Sequence, residues 1–380
     1  MMVMVDTADG GQKLLPAVMD LSPEGRDALF AELGEAPWRA QQLADALWNP
    51  AVRDWDSVSS FPQALRHELA LRHAFCAVEQ AQVRVDDGGH TISVVGRLGD
   101  GKTIETVVMH YGKAQHPRTT VCVSSQVGCA VGCPFCATGR LGLLRHCTPG
   151  EVLDQVRLAD MLAQEHGMHP VTHVVFMGMG EPLANLETTV SAVKRLVQER
   201  GMSARHITVS TSGVVPGIER LIEERIPVTL ALSLHAATDD LRTTLVPLNA
   251  KYPIDLVCTK VEEYAAATGR RATYEWCLIE GINDTAEQAS ALAMRAQQHH
   301  AHVNVIPMNR IEGSSWNGPD AEGVARFVAR LTKANVTVRK TRGQATDGAC
   351  GQLRATHEAR RHQLPDGKLS RPVRTASSRE

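Results

Sequence analysis

The sequence carries no surplus of charge: 40 Lys and Arg stand against 42 Asp and Glu, a formal net charge of −2. No global basic field surrounds such a chain, so any contact with a polyanion has to be local. Also missing is a run of about 18 consecutive apolar residues, the length a membrane-spanning helix needs. Residues 1–13 include acidic side chains and no long apolar stretch. Neither a membrane span nor a secretory signal is expected, and the chain reads as cytoplasmic. A regular disulfide framework is absent as well. The cysteines number nine, an odd count at uneven spacing, which points to metal or redox chemistry in a reducing compartment. What remains is a 380-residue chain long enough for one barrel-sized domain and a smaller one. Nothing in it demands more than a monomer.

Three of the cysteines are clustered. Cys129, Cys133 and Cys136 occupy a single run with the spacing C-x3-C-x2-C. Three thiolates on one short loop suit three irons of a cubane cluster and leave the fourth iron open to another ligand. A structural zinc would ask for a fourth protein ligand nearby, and Cys147, eleven residues on, is poorly spaced for it. Three unrelated buried thiols are the plainest alternative.

Around this loop the chain divides into four stretches. Residues 1–80 read as a small helical domain, with Trp38, Leu43, Leu47 and Trp48 near helical spacing and Arg39, Gln41 and Gln42 on a polar face. That face could meet phosphate or simply be solvated. Residues 81–117 read as a connecting β segment, with Gly-Asp turns between alternating runs. From residue 118 to residue 353, apolar strands expected at 119–124, 173–177, 206–210, 228–235, 273–279, 303–307 and 336–340 alternate with amphipathic helices. Thr148-Pro149-Gly150-Glu151 is a capping box opening one of those helices. Six βα units after an opening strand predict an α/β fold built on a partial parallel barrel, with reacting groups at the carboxyl ends of the strands. Residues 354–380 carry seven Arg or Lys against three acids, a flexible basic tail suited to solubility or weak phosphate contact.

The polar candidates do fall at those strand ends. Gly178-Met-Gly-Glu-Pro182 offers glycines for close backbone approach, at Gly180 above all, and a carboxylate, Glu181, for a ligand ammonium. Ser210, Ser233, His235 and Asn309 offer hydroxyl, imidazole and amide groups. Cys122 precedes the cluster by seven residues, and Cys350 lies in Ala349-Cys-Gly-Gln-Leu353 beyond the last strand.

Jointly, the three-cysteine spacing, Gly178-Met-Gly-Glu-Pro182, Ser233-Leu-His235 and Ala349-Cys-Gly-Gln-Leu353 resemble the RlmN/Cfr family of radical SAM RNA methyltransferases over roughly residues 105–353. The N-terminal stretch with Arg39-Ala-Gln-Gln-Leu43 is similar to that family's accessory domain. The resemblance implies a [4Fe-4S] cluster on Cys129, Cys133 and Cys136, and two S-adenosylmethionine (SAM) molecules per turnover. It places SAM against Gly180, Glu181, Ser210, Ser233, Leu234, His235 and Asn309. Cys350 would take a methyl from one SAM, and a radical from the second would convert that S-methyl group to a methylene radical that adds to an adenine carbon. Cys122 would then attack the Cys350 sulfur, leaving a disulfide and freeing the product, with Glu105 as proton acceptor. Substrates implied are 23S rRNA and tRNA, modified at adenine C2, and the electron donor a protein such as flavodoxin or ferredoxin. C8 methylation, as in a Cfr-like resistance enzyme, stays open at this point. So does a metal-bearing RNA-binding protein without catalysis.

Overall fold

Short β-branched runs become strands, and the amphipathic stretches between them become the helices that cover one face of the sheet. A computed structural model describes residues 4–6, 12–111, 115, 117–311 and 314–339. The strands are β1 (Met4–Asp6), β2 (Gln12–Leu14), β3 (Val78–Asp86), β4 (Thr91–Leu98), β5 (Thr103–Tyr111), β6 (Arg118–Cys122), β7 (Gln126–Gly128), β8 (Leu143–His146), β9 (His173–Phe176), β10 (Ile207–Thr211), β11 (Thr229–Ser233), β12 (Thr273–Leu278), β13 (His302–Pro307) and β14 (Asn335–Val338). The helices are α1 (Pro23–Glu32), α2 (Trp38–Leu47), α3 (Gln63–Arg72), α4 (Pro149–Glu165), α5 (Leu186–Gln198), α6 (Val215–Glu224), α7 (Asp239–Leu245), α8 (Ile254–Thr268), α9 (Ala286–Gln298) and α10 (Ala321–Arg330).

Ten strands make one sheet in the order β14-β13-β12-β11-β10-β9-β6-β5-β4-β3. From β14 to β6 every pairing is parallel, and helices make each crossover, as right-handed βα units require. This is the partial barrel expected from the alternation. Beyond β6 the sheet turns antiparallel through β5, β4 and β3, so the β segment before residue 118 continues the barrel sheet.

Period two sorts the side chains of β12. Tyr274 and Trp276 face the helices, where Trp276 stacks on Phe327 of α10 with centroids 5.9 Å apart, while Thr273, Glu275 and Cys277 alternate onto the inner face. One apolar core runs from Phe30, Leu43 and Leu69 of the N-terminal helices through Ile92 and Val108 to Val209, Leu230 and Tyr274. Polar staples fix the N-terminal segment and the start of β3 to α4 and the end of α5. Both oxygens of Asp154 are used: one accepts from the Ala77 and Val78 amides at 2.8 Å, the other pairs with Arg157. Arg26 meets Glu199 at 2.8 Å, and the Gly150 amide donates to Asp20 at 2.7 Å. The expected capping box is present, with the Glu151 amide 3.1 Å from Thr148 Oγ1 and the Thr148 amide 3.0 Å from Glu151. Among the described residues no helix is long and apolar enough to cross a membrane.

Candidate functional site

The three clustered cysteines sit on a loop between the antiparallel strands β7 and β8, a hairpin the sequence reading did not foresee. Glycine makes the hairpin close. Gly128 has φ +87°, and a Cβ there would lie 1.8 Å from the Gly142 carbonyl, so only glycine fits. The Cys129 amide donates to that same carbonyl at 3.0 Å, and the Cys136 amide to the Cys133 carbonyl at 3.1 Å. Arg145 of β8 ties the hairpin to its surroundings, bridging Asp100 at 2.7 Å and both oxygens of Glu151 at 2.8 Å. Against the burial that raises it, hydrogen bonds from Arg145 and Lys102 hold the Asp100 carboxyl well below the usual range.

All three thiols are half-buried. Burial pushes the Cys129 thiol up to about 12, with Glu181 and Cys136 adding to the rise; burial, then Cys136 and Cys129, push Cys133 up as well. Neighbouring thiols that resist ionisation become ligands when a cluster supplies the compensating positive charge. They are close enough to feel one another, yet among the described residues no three Cys, His, Asp or Glu side chains converge on one ion position. Cys147 is 2 % exposed in the core, its carbonyl taken by Asn185 and Thr188, and it does not join the three.

Beside the cluster loop lies the segment 178–182. A Cβ on Gly178 would meet the Val123 carbonyl at 2.6 Å, and one on Gly180, at φ +102°, would meet Gln126 at 2.5 Å. These glycines let the segment lie against the chain leading into β7. Gln126 reads both sides: its Oε1 accepts from the Glu181 amide at 2.8 Å and its Nε2 lies 3.0 Å from His146 Nδ1. Glu181 is buried; its Oε2 accepts from the Ser212 amide and hydroxyl, both at 2.7 Å, and its Oε1 from the Leu183 amide at 3.0 Å. Burial raises its pKa and the Ser212 bonds oppose that. With Ser212, Leu183 and Thr211 as donors its lone-pair sites are taken, so what Glu181 offers a ligand ammonium is its negative charge.

Ser210 and Ser233, on adjacent parallel strands, face each other with hydroxyls 3.2 Å apart. His235 follows at φ +58°, held there because its Nδ1 accepts from the Cys277 amide at 2.9 Å. That bond places the proton on Nε2, and burial, reinforced by Arg242, lowers the imidazole pKa to about 3. The ring stands edge-on to Phe135 of the cluster loop, with centroids 4.9 Å apart. Leu234 is wholly buried, and its amide and carbonyl are committed to Glu275 and Arg242. Asn309 Oδ1 is buried with no hydrogen-bond partner among the described residues, an acceptor that a bound nucleoside amine or hydroxyl would satisfy. The donor set, the orphaned amide oxygen and the clustered thiols together fit a cluster with a nucleoside beside it.

Cys122 and Glu105 come together at the edge of this site. Glu105, 4 % exposed, is on β5 and Cys122 on its neighbour β6. Burial pushes the Cys122 thiol up to about 12; the Met177 amide, donating to the sulfur, opposes the rise and Glu105 adds to it. Cys350 lies outside the described residues, as does the tail at 354–380. All eight described cysteines are free thiols.

Sequence reasoning missed Arg242. It is fully buried and donates to the carbonyls of Ser212 (2.7 Å), Ser233 (3.2 Å) and Leu234 (3.1 Å) and to Asn249 Oδ1 (2.8 Å). One guanidinium thus ties off the ends of β10 and β11, the strands carrying Ser210, Ser233 and His235. In the run Asp239-Asp-Leu-Arg-Thr-Thr-Leu245 it looks like any solvated helix arginine.

Comparison with known proteins gives a consistent picture. Residues 123–292 match the model of the radical SAM superfamily. The chain is 44 % identical over 349 residues to a probable dual-specificity RNA methyltransferase RlmN from Bifidobacterium adolescentis, covering 88 % of this chain and 89 % of that protein. A relative of the same name from Moorella thermoacetica is 42 % identical, covering 88 % of this chain and 96 % of its own length. A solved radical SAM methyltransferase from Sphaerobacter thermophilus superposes with a TM-score of 0.84 at 42 % identity, over 89 % of this chain and 98 % of its own.

Proposed function

From the premise that this chain belongs to the RlmN family of radical SAM RNA methyltransferases, we propose that it methylates C2 of an adenosine in 23S rRNA, and in tRNA, by way of a methylated cysteine. As a member it is an enzyme that uses SAM and a [4Fe-4S] cluster and acts on RNA. An adenine ring carbon has no lone pair with which to take a methyl cation from a sulfonium, so the methyl must first be held by the protein and then activated.

In this reading Cys129, Cys133 and Cys136 hold the cluster, and the strip at Gly180 and Glu181 together with Ser210, Ser233, Leu234, His235 and Asn309 holds SAM. When bound, cluster and SAM supply a carbon radical able to take a hydrogen atom from a methyl group. His235, neutral with its proton on Nε2, can only donate toward the nucleoside. The Cys350 thiolate would take the methyl of one SAM, with S-adenosylhomocysteine as the leaving group, and carry it to the base as S-methylcysteine, the group from which a hydrogen atom is then removed. Once the adduct has given up its ring proton to Glu105 and one electron, the Cys122 thiolate would attack the Cys350 sulfur: a Cys122–Cys350 disulfide forms, the sulfur–methylene bond breaks, its electron pair goes to the methylene carbon, which takes a proton to become the methyl group, and the external reductant returns the disulfide to thiols. The observation that carries this reading is the second thiol, Cys122, at the edge of the site beside Glu105: SAM chemistry alone has no use for it, whereas release of a cysteine-bound product requires it. Residues 1–80 serve as an RNA-binding accessory domain, 81–117 as the β connection, 118–353 as the barrel domain and 354–380 as a basic tail. The protein works as a cytoplasmic monomer, reduced by a flavodoxin or ferredoxin.

Anaerobic reconstitution with iron, sulfide, SAM, reductant and 23S rRNA fragments is expected to give 2-methyladenosine on nucleoside mass spectrometry. 8-Methyladenosine would overturn the position assigned, and unmodified adenosine from cluster-loaded protein would overturn the methyltransfer itself.

A further inference from the structure

Arg339 stands one residue past β14, where its amide donates to the Val305 carbonyl at 2.9 Å and so continues the β13–β14 ladder. Its guanidinium reaches two places. Nη2 is 3.6 Å from Glu275 Oε1 on β12, and Nη1 is 3.6 Å from Met177 Sδ, just past the end of β9. In sheet order β12 and β9 are three strands apart, about 14 Å at the usual spacing, and no single guanidinium touches both along a flat sheet. Curvature brings them face to face, so Arg339 spans the lumen of the open barrel.

Each end of this span has a consequence. Glu275 is 3 % exposed, with Oε1 shared between Asn304 Nδ2 at 2.8 Å and Arg339, and Oε2 without a hydrogen-bond partner among the described residues. A buried carboxylate so poorly solvated stays ionised only beside a cation, and Arg339 is the cation in contact with it. At the other end, the Met177 amide donates to the Cys122 sulfur while Arg339 lies on the Met177 thioether. The charged groups facing Cys122 are Glu105 from β5, which disfavours its anion, and Arg339 from β14, which favours it. Arg118 on β6 repels Arg339 in turn. Burial dominates and keeps most of the thiol protonated at neutral pH even with Arg339 in place, so whatever favours the anion sets the small thiolate fraction that attacks.

Resting on the reading of Cys122 as the resolving thiol, we propose that Arg339 is a positioning residue that, docked on Glu275, holds its charge against the Met177–Cys122 pair and supports the Cys122 thiolate. Glu275 is the anchor that keeps the guanidinium in the lumen instead of in solvent, where its 42 % exposed side chain would otherwise swing.

The test is iodoacetamide alkylation of Cys122 in the full-length protein, quantified on its own peptide by mass spectrometry from about pH 7 to 10. Arg339→Gln is expected to move the alkylation profile up by about one pH unit, roughly a tenfold slower reaction at fixed pH. Arg339→Lys is expected to recover most of the rate, because it restores charge and not the planar fork. Glu275→Gln, which frees the guanidinium without removing it, should shift the profile in the same direction by less. Superimposable profiles for wild type and Arg339→Gln would overturn the inference, as would a shift that lysine fails to reverse. Cys122→Ala separates this from the reading it rests on. If that variant traps an RNA adduct while the Arg339→Gln profile is unmoved, the inference falls and the resolving role stands; if no adduct forms while the profile shifts, the charge coupling stands and the resolving role falls.

Discussion

Replacing Arg242 with methionine tests whether one buried guanidinium organises the nucleoside side of the barrel. Methionine keeps most of the side-chain volume and its apolar stem, so the change removes charge and donors without opening a large cavity. Four acceptors lose a charged donor: the carbonyls of Ser212, Ser233 and Leu234 and the Asn249 side-chain oxygen, of which Leu234 keeps the Ala236 amide at 2.8 Å. Hydrogen bonds from a charged donor contribute about 1.5–3 kcal/mol each, a gross loss of roughly 6–12 kcal/mol. Against that, the cost of keeping a guanidinium out of water disappears, and that cost is itself several kcal/mol. The balance is a destabilisation of about 3–5 kcal/mol, because each buried acceptor left without a donor costs about 1–3 kcal/mol. The assay is anaerobic urea unfolding followed by circular dichroism, comparing midpoints at constant slope. SAM affinity of the folded variant should fall too, since the carbonyls that lose Arg242 lie at the ends of β10 and β11, where Ser210, Ser233 and His235 are presented. A loss below about 1 kcal/mol, the size of an ordinary surface substitution or less, would refute the reasoning: the four acceptors would then have found water or each other.

Cys122→Ala is expected to accumulate a covalent protein–RNA species on denaturing gels, because the adduct has no thiol to resolve it; normal turnover would exclude Cys122 from that role. Cys350→Ala should abolish product while retaining iron and the visible absorbance of the cluster, and loss of iron would make Cys350 a ligand instead. The Asp100–Arg145 contact should be pH-dependent. A carboxylate whose folded pKa is depressed stabilises the fold above its unfolded value and loses that contribution as pH falls. The stability gap between wild type and Asp100→Asn should therefore be full near neutrality and close as pH drops below about 4; a gap unchanged at pH 2 would refute it.

Much of the architecture is legible because it is local. The strand–helix alternation after residue 118 sets the parallel barrel, and the capping box at Thr148 starts α4 where the spacing predicts. Polar residues at strand ends reveal their importance by position even when their partners are unknown. Less legible are the supports. The β7–β8 hairpin depends on Gly128 and Gly142 meeting across fourteen residues, a closure no short window shows. The glycines of 178–182 were expected to make room for a ligand, and the structure shows them also making room for Val123 and Gln126. Arg242 and Arg339 have no motif, since an arginine acquires meaning from the acceptors around it.

By itself the sequence determined the chemistry on offer: three thiols on one loop, a lone thiol seven residues ahead, and a parallel barrel to seat them, because spacing along a chain is a covalent property. Which groups act on one another was decided only when the sheet curved. That curvature puts Glu105 against Cys122, sets the Ser210 and Ser233 hydroxyls 3.2 Å apart, and lets Arg339 touch Met177 across 162 residues of chain. Electrostatics and hydrogen bonding fall off over a few ångströms of space and are indifferent to distance along the sequence.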